Sequence, residues 1–182
     1  MEDDEQSYEQ DQSYSDELVE NKILDNHTQE QIIKAKFYIP DENKYKYIHL
    51  KIAPSTIPNA GMGVYAVDDI PKGASGLYRG IKRPLRRGNA YYSWIVYEYD
   101  METGETISNK EMFLLDATNK NTSNWTRYVN CGLKKRFNNM SCMQKFDKIY
   151  YYAIKNIKPG KELFIDYGKD YRKVNLGMKG TY

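Results

Sequence analysis

Cysteine, histidine and long apolar runs are all scarce in this chain, and each scarcity removes a class of function. Two cysteines, Cys131 and Cys142, and two histidines, His27 and His49, occur in 182 residues. Two thiols make neither a disulfide framework nor a zinc cluster, so an intracellular, reducing setting is expected. The two histidines are too few and too distant for a catalytic triad or a metal site, and hydrolase chemistry has little support. No apolar stretch nears the roughly 20 residues that a membrane helix requires, and no signal-peptide pattern opens the chain. Neither a membrane nor a metal is therefore expected as a partner. Helical periodicity is poor after residue 40, except around Ser123–Tyr128.

Charge is present in quantity but is unevenly spread. Residues 1–36 hold eleven acids and three lysines; removing these from the 25 acids and 27 bases of the whole leaves 14 acids and 24 bases. The net +2 chain is thus an acidic tail joined to a basic body. The tail is rich in Gln, Ser and Asn and poor in residues that bury apolar area, so disorder is expected over 1–36, apart from a helix through Gln29–Ala35. The basic body suits docking beside nucleosomal DNA, and it equally suits a solvated lysine-rich surface. The run Lys82-Arg83-Pro84-Leu85-Arg86-Arg87 carries the same two readings, as a nuclear-localisation or phosphate-contacting patch or as a solvated loop.

Eighteen tyrosines dominate the aromatics, mostly within alternating or β-branched stretches. Tyr45–Ile52, Gly63–Val67, Ser93–Tyr99, Met112–Leu115, Asp147–Ala153 and Glu162–Tyr167 read as short strands. Turn signals separate them: Pro58-Asn59-Ala60-Gly61, Pro71-Lys72-Gly73, Glu102-Thr103-Gly104 and Pro159-Gly160. The pattern predicts a mostly-β domain of short strands and long connections.

Three segments carry chemical interest. In Ala60-Gly61-Met62-Gly63-Val64-Tyr65 the two glycines permit a turn or a close approach of backbone to ligand. A dinucleotide fingerprint is excluded, because the third glycine and the following helix are missing. The second is Asn124-Trp125-Thr126-Arg127-Tyr128-Val129-Asn130-Cys131, and the third is Pro159-Gly160-Lys161-Glu162-Leu163-Phe164-Ile165-Asp166-Tyr167-Gly168. Each alone is a polar loop or a strand after a turn.

In this order the three are similar to the SET-domain lysine methyltransferases, and two details resemble the PR/SET branch. One is the N-W-x-R-Y-V-N-C phrase at 124–131; the other is the pair Ala53–Val64 and Tyr91-Tyr92-Ser93-Trp94. Within that branch the phrases look like those of the meiotic histone H3 methyltransferase. The likeness runs from Tyr47 to Leu176, which implies a PR/SET domain at 37–176, an acidic tail at 1–36 and a short C-terminal tail at 177–182. The implied fold is a β-clip of several small sheets in which the Asn130 and Tyr167 segments cross in a pseudoknot.

The resemblance also implies roles. Ala60, Gly61, Met62 and Gly63 would hold the methionine part of S-adenosyl-L-methionine, Asn130 and Cys131 the adenosyl part, and Tyr92 would lie near both cofactor and substrate. Tyr92, Ser93, Trp94 and Tyr167 would line the site of a histone tail peptide, with histone H3 as the expected substrate and the nucleus as the expected location. Tyr167 would be the catalytic tyrosine, with Tyr151 and Tyr78 lining the lysine channel. Methyl transfer is an in-line displacement, so alignment does much of the work. Free lysine, with a pKa of about 10.4, must lose its proton first, and an aromatic channel beside a positive sulfur disfavours the ammonium. Tyrosine faces are apolar while their hydroxyls orient an amine, so no acid–base pair and no tyrosine nucleophile are needed. Glu162 and Asp166 resemble such a pair only on paper; structural pairing with Arg or Lys is expected for both.

A second reading stays open: a catalytically weak or inactive PR module that binds chromatin proteins through its groove. The zinc fingers and the cysteine knot that accompany many relatives do not occur within these residues; in a complete chain targeting would fall to another subunit or to the tail, and in a fragment the fingers were lost with the rest. The Asp166-Tyr167-Gly168 form matches the D-Y-G of active SET enzymes and favours the enzyme.

Overall fold

The computed structural model describes residues 30–85 and 92–168. The acidic segment 1–29, residues 86–91 (with Arg86, Arg87 and Tyr91) and residues 169–182 lie outside the described residues. So do most of the expected N-terminal tail and the whole expected C-terminal tail.

Alternation of apolar and polar residues builds the main sheet. Strands β1 (Gln31–Ile39), β2 (Lys44–Pro54) and β3 (Met62–Ala66) form an antiparallel meander. Ala35, Phe37 and Ile39 of β1 and Ile48, Leu50 and Ile52 of β2 point inward, while the intervening lysines point out. Strands β4 (Ser75–Leu77), β10 (Lys148–Ala153) and β9 (Met140–Lys145) complete six strands in the order β3-β2-β1-β4-β10-β9. A second sheet has the order β5-β7-β6, from Ile81–Arg83, Thr106–Asp116 and Ser93–Tyr99. Core side chains from both sheets meet around Leu50, Val96, Met140 and Tyr151.

Two short strands create the crossing that positions the site. Asn130–Cys131 (β8) pairs in parallel with Phe164–Ile165 (β11). Asn139 clamps the crossing: its amide nitrogen donates to the Glu162 carbonyl at 2.8 Å, and its side-chain oxygen accepts from the Phe164 N–H at 2.9 Å. The mostly-β, several-sheet architecture matches the expectation, and no α-helix occurs among the described residues.

Two expectations about local structure are corrected. The stretch expected as a helix at Gln29–Ala35 is instead strand β1 from Gln31, so residues 31–36 belong to the main sheet and not to the tail. Lys and Ala favour helix locally, but nine-residue pairing with β2 buries three apolar side chains on one face and prevails. The strand expected at Glu162–Tyr167 is confined to Phe164–Ile165, because Glu162 and Tyr167 turn aside to other partners. The helical signal near Ser123 is a single 3-10 turn, Trp125–Tyr128, capped by the Asn124 side chain. Trp125 stacks on Phe37 at 5.0 Å, in space left by Gly76, where a Cβ would lie 2.5 Å from the indole.

Candidate functional site

The loop from β2 to β3 is shaped by two glycines with different duties. Gly61 has φ of +72°, after Asn59 at +63°, which is the left-handed conformation that glycine tolerates best. Its carbonyl accepts from the Ser55 N–H at 2.8 Å, closing the loop. Gly63 has ordinary geometry but no room: a Cβ there would lie 2.2 Å from Glu162 Oε1.

Glu162 is the hub beneath this loop. Its carboxylate accepts from Ser55 Oγ at 2.6 Å, and from the Thr56 N–H and Oγ1 at 2.8 and 2.5 Å. The Asn130 amide reaches it at 3.4 Å while also donating to the Met62 carbonyl at 3.1 Å. The expected pairing of Glu162 with Arg or Lys is therefore corrected: hydroxyls, a backbone N–H and an amide satisfy this buried carboxylate. Burial first, then the neighbouring Glu162 charge, pushes the Tyr65 phenol up to about 12. Ala60–Gly63 and Asn130 are thus brought together, with Cys131 buried beside them.

The second group is aromatic. Trp94, near the start of β6, meets Tyr151 and Tyr167 edge-on, each at 6.0 Å between ring centres. Tyr78 lies 5.4 Å from Tyr151. The Trp94 indole N–H donates to the Tyr151 hydroxyl at 2.7 Å, and Tyr78 donates to the Tyr92 carbonyl at 2.7 Å. The Tyr167 hydroxyl donates to the Val129 carbonyl, one residue before Asn130, and so ties the aromatic group to the glycine loop. Tyr78 and Tyr151 are buried, whereas Tyr167 is half-buried.

Tyr92 is half-exposed at φ +58°, with the Arg127 guanidinium 4.5 Å from its ring centre. Arg127 was not singled out from sequence, yet it braces this corner. Its Nε and Nη2 donate to the carbonyls of Ala117 and Thr118 at 2.9 and 3.1 Å, while its face covers both Tyr92 and Tyr128. A buried arginine among carbonyls and rings cannot be read from its sequence neighbours, because Ala117 and Thr118 come from another loop. Of the basic run, Lys82 pairs with Asp147 and Arg83 with Asp116, so both belong to the framework.

Burial pushes the phenols of Tyr78 and Tyr151 upward, Tyr151 well above its ordinary value. Since unfolded phenols titrate at about 10, these two contribute stability that is intact below that pH and lost as pH rises toward their folded values. An alkaline titration followed by phenolate absorbance should therefore show exposed tyrosines ionising while Tyr78 and Tyr151 stay neutral until the fold is lost. Early ionisation of every tyrosine in a still-folded chain would contradict their burial.

The residues present fit S-adenosylmethionine: a glycine loop with nothing within 4 Å of a Cβ at Gly61, the Asn130 amide fixed beside it, and Trp94 and Tyr167, whose ring types suit a positively charged sulfur.

The family model for the PR domain of PR domain zinc finger protein 2 matches residues 50–177. Human histone-lysine N-methyltransferase PRDM7 is 33% identical over 141 residues, covering 72% of this chain and 25% of that protein. Histone-lysine N-methyltransferase set-17 of Caenorhabditis elegans is 34% identical over 128 residues, covering 68% and 42%. The solved methyltransferase domain of human PR domain-containing protein 2 superposes with a TM-score of 0.52 at 31% identity, covering 66% of this chain and 78% of that one. The chain spans less than half the length of the two full-length relatives.

Proposed function

This chain belongs to the PR/SET family of SET-domain proteins, and on that premise we propose that it is an S-adenosylmethionine-dependent lysine N-methyltransferase acting in the nucleus on the tail of histone H3. The observation that carries the reading is the junction of two groups distant in sequence. The glycine loop and Asn130 form one, Trp94, Tyr151 and Tyr167 form the other, and the Tyr167–Val129 hydrogen bond joins them.

The cofactor supplies, when bound, a methyl group on a positively charged sulfur. Ala60, Gly61, Met62 and Gly63 position it through backbone, Asn130 and Cys131 hold its adenosyl end, and Tyr92 stands near the junction with substrate. Tyr92, Ser93 and Trp94 line the peptide site, and Tyr78, Tyr151 and Tyr167 line the passage for the lysine side chain. Their rings replace water around the lysine stem and disfavour its ammonium form, so the amine enters neutral. Tyr78 and Tyr151 remain protonated, since burial raises both. They orient rather than accept the proton. With cofactor and lysine bound, Tyr167, at the junction, would present its oxygen to the methyl group and hold the amine in line. The proposed domain takes in β1 and extends to the C-terminal limit of the family match at residue 177.

One observation favours a second reading. The Tyr78 hydroxyl is taken up by the Tyr92 carbonyl and Tyr151 is buried, so both rings fit equally well as packing residues of a chromatin-binding module. Calorimetric titration with S-adenosylmethionine separates the two. The enzyme binds one equivalent and loses it on Asn130→Ala substitution; a folded chain that gives no binding heat at two well-separated temperatures would sink the enzyme and leave the module.

A further inference from the structure

Away from the aromatic passage, an open groove of about 470 Å³ runs between the segment at Arg136–Asn139 and the turn at Lys155–Glu162. Four exposed cations line it: Arg136, Lys155, Lys158 and Lys161. The turn Lys158-Pro159-Gly160-Lys161 places two of them, with Gly160 at φ +81° and the Lys161 N–H donating to the Lys158 carbonyl at 3.2 Å. Phe137, 47% exposed, lines it with Arg136 over its ring at 5.1 Å, and Tyr65 lines it too.

The acids nearby leave most of this charge uncompensated. Asp69 pairs with Lys158 at 2.9 Å. Glu162 is turned toward Ser55, Thr56 and Asn130 at the inner end, and Glu30 pairs with Lys51 at 3.2 Å. Lys155 Nζ donates to a carbonyl, that of Arg136, at 3.4 Å. Holding these cations together in a concave slot has an electrostatic cost that an anionic occupant would relieve.

We propose that this groove binds single-stranded nucleic acid, its phosphates on Arg136, Lys155, Lys158 and Lys161 and a base stacked on Phe137. Cations along a slot with an exposed aromatic wall suit a flexible phosphodiester strand, which needs both backbone neutralisation and a stacking platform. A duplex keeps its bases stacked inside, so it offers none to Phe137. The inner end touches Glu162 and Thr56, which hold the glycine loop, so an occupied groove abuts the support of the transfer site. The proposal does not rest on methyl transfer, since either activity can be found without the other.

The test is fluorescence anisotropy of the full chain with a labelled oligothymidine of about twelve nucleotides, within the range one single-strand site spans. Binding should weaken with salt at a log–log slope of about −3, from four phosphates at about −0.7 each. Lys155→Glu/Lys161→Glu should weaken binding by roughly tenfold or more and flatten the slope by one to two. Lys120→Glu/Lys148→Glu, an equal charge change elsewhere, should cost no more than about twofold by long-range charge alone. Phe137→Ala should cost about fivefold through lost stacking. Thermal melts identify any unfolded variant, for which Lys155→Gln/Lys161→Gln is substituted. Equal loss in the two double variants, a preference for duplex, equal competition by polyglutamate, or no binding at low salt would each overturn the proposal.

Discussion

Tyr167→Phe is expected to lower methyl transfer by roughly a hundredfold or more, the scale seen when one polar group aimed at a transition state is removed. The substitution keeps the ring against Trp94, 6.0 Å away, and so preserves the packing. It deletes the hydroxyl that bonds the Val129 carbonyl. Loss of one such hydrogen bond costs about 1 kcal/mol, so the chain stays folded and the cofactor should still bind within a fewfold. The signature is a fall in kcat at nearly constant cofactor affinity, read by single-turnover transfer beside calorimetry. A variant that keeps half the native rate would remove Tyr167 from the transfer step.

Gly63→Ala is the second large effect, and it falls on stability and cofactor binding together. The added methyl would lie 2.2 Å from Glu162 Oε1, 2.9 Å from Glu162 Cδ and 3.3 Å from the Ser55 Cα. Backbone lies on one side and a carboxylate holding four donors on the other, so neither yields cheaply. Moving Glu162 would strand hydroxyl, N–H and amide donors at roughly 1–3 kcal/mol for each buried one. A destabilisation of about 3 kcal/mol or more is expected in urea unfolding. Gly61→Ala is the control. Nothing lies within 4 Å of its Cβ, and only the +72° φ resists, at about 1–2 kcal/mol. If both substitutions cost the same, the Glu162 hub does not hold the loop.

Much of the architecture was written in local pattern. Tyr45–Ile52 and Ser93–Tyr99 alternate plainly, and they are strands β2 and β6 within two residues of the expected ends. The turn signals at Asn59–Gly61, Gly73, Gly104 and Gly160 all fall on positive φ. Strand β1 escaped notice because Lys34, Ala35 and Lys36 look helical until β2 is laid beside them. Strands β4, β5 and β8 are two or three residues long, too short to carry a period.

The glycine loop, Asn130 and the tyrosines were legible as types of residue. Their mutual contacts, Asn130 to Met62 and Trp94 to Tyr151, depend on the parallel β8–β11 crossing, which no local pattern announces. Glu162 was misread for the same reason. Its partners Ser55 and Thr56 are more than a hundred residues away in sequence. The cations Lys155, Lys158 and Lys161 are close in sequence, but Arg136 and Phe137 join them only in the fold.

The central claim is methyl transfer to a histone lysine, and incubation with labelled S-adenosylmethionine and recombinant core histones tests it most directly. The purified chain should place label on a lysine of histone H3, located by mass spectrometry, and Tyr167→Phe should leave that lysine unlabelled. A folded chain that labels no core histone, and binds no S-adenosylmethionine, would contradict the account.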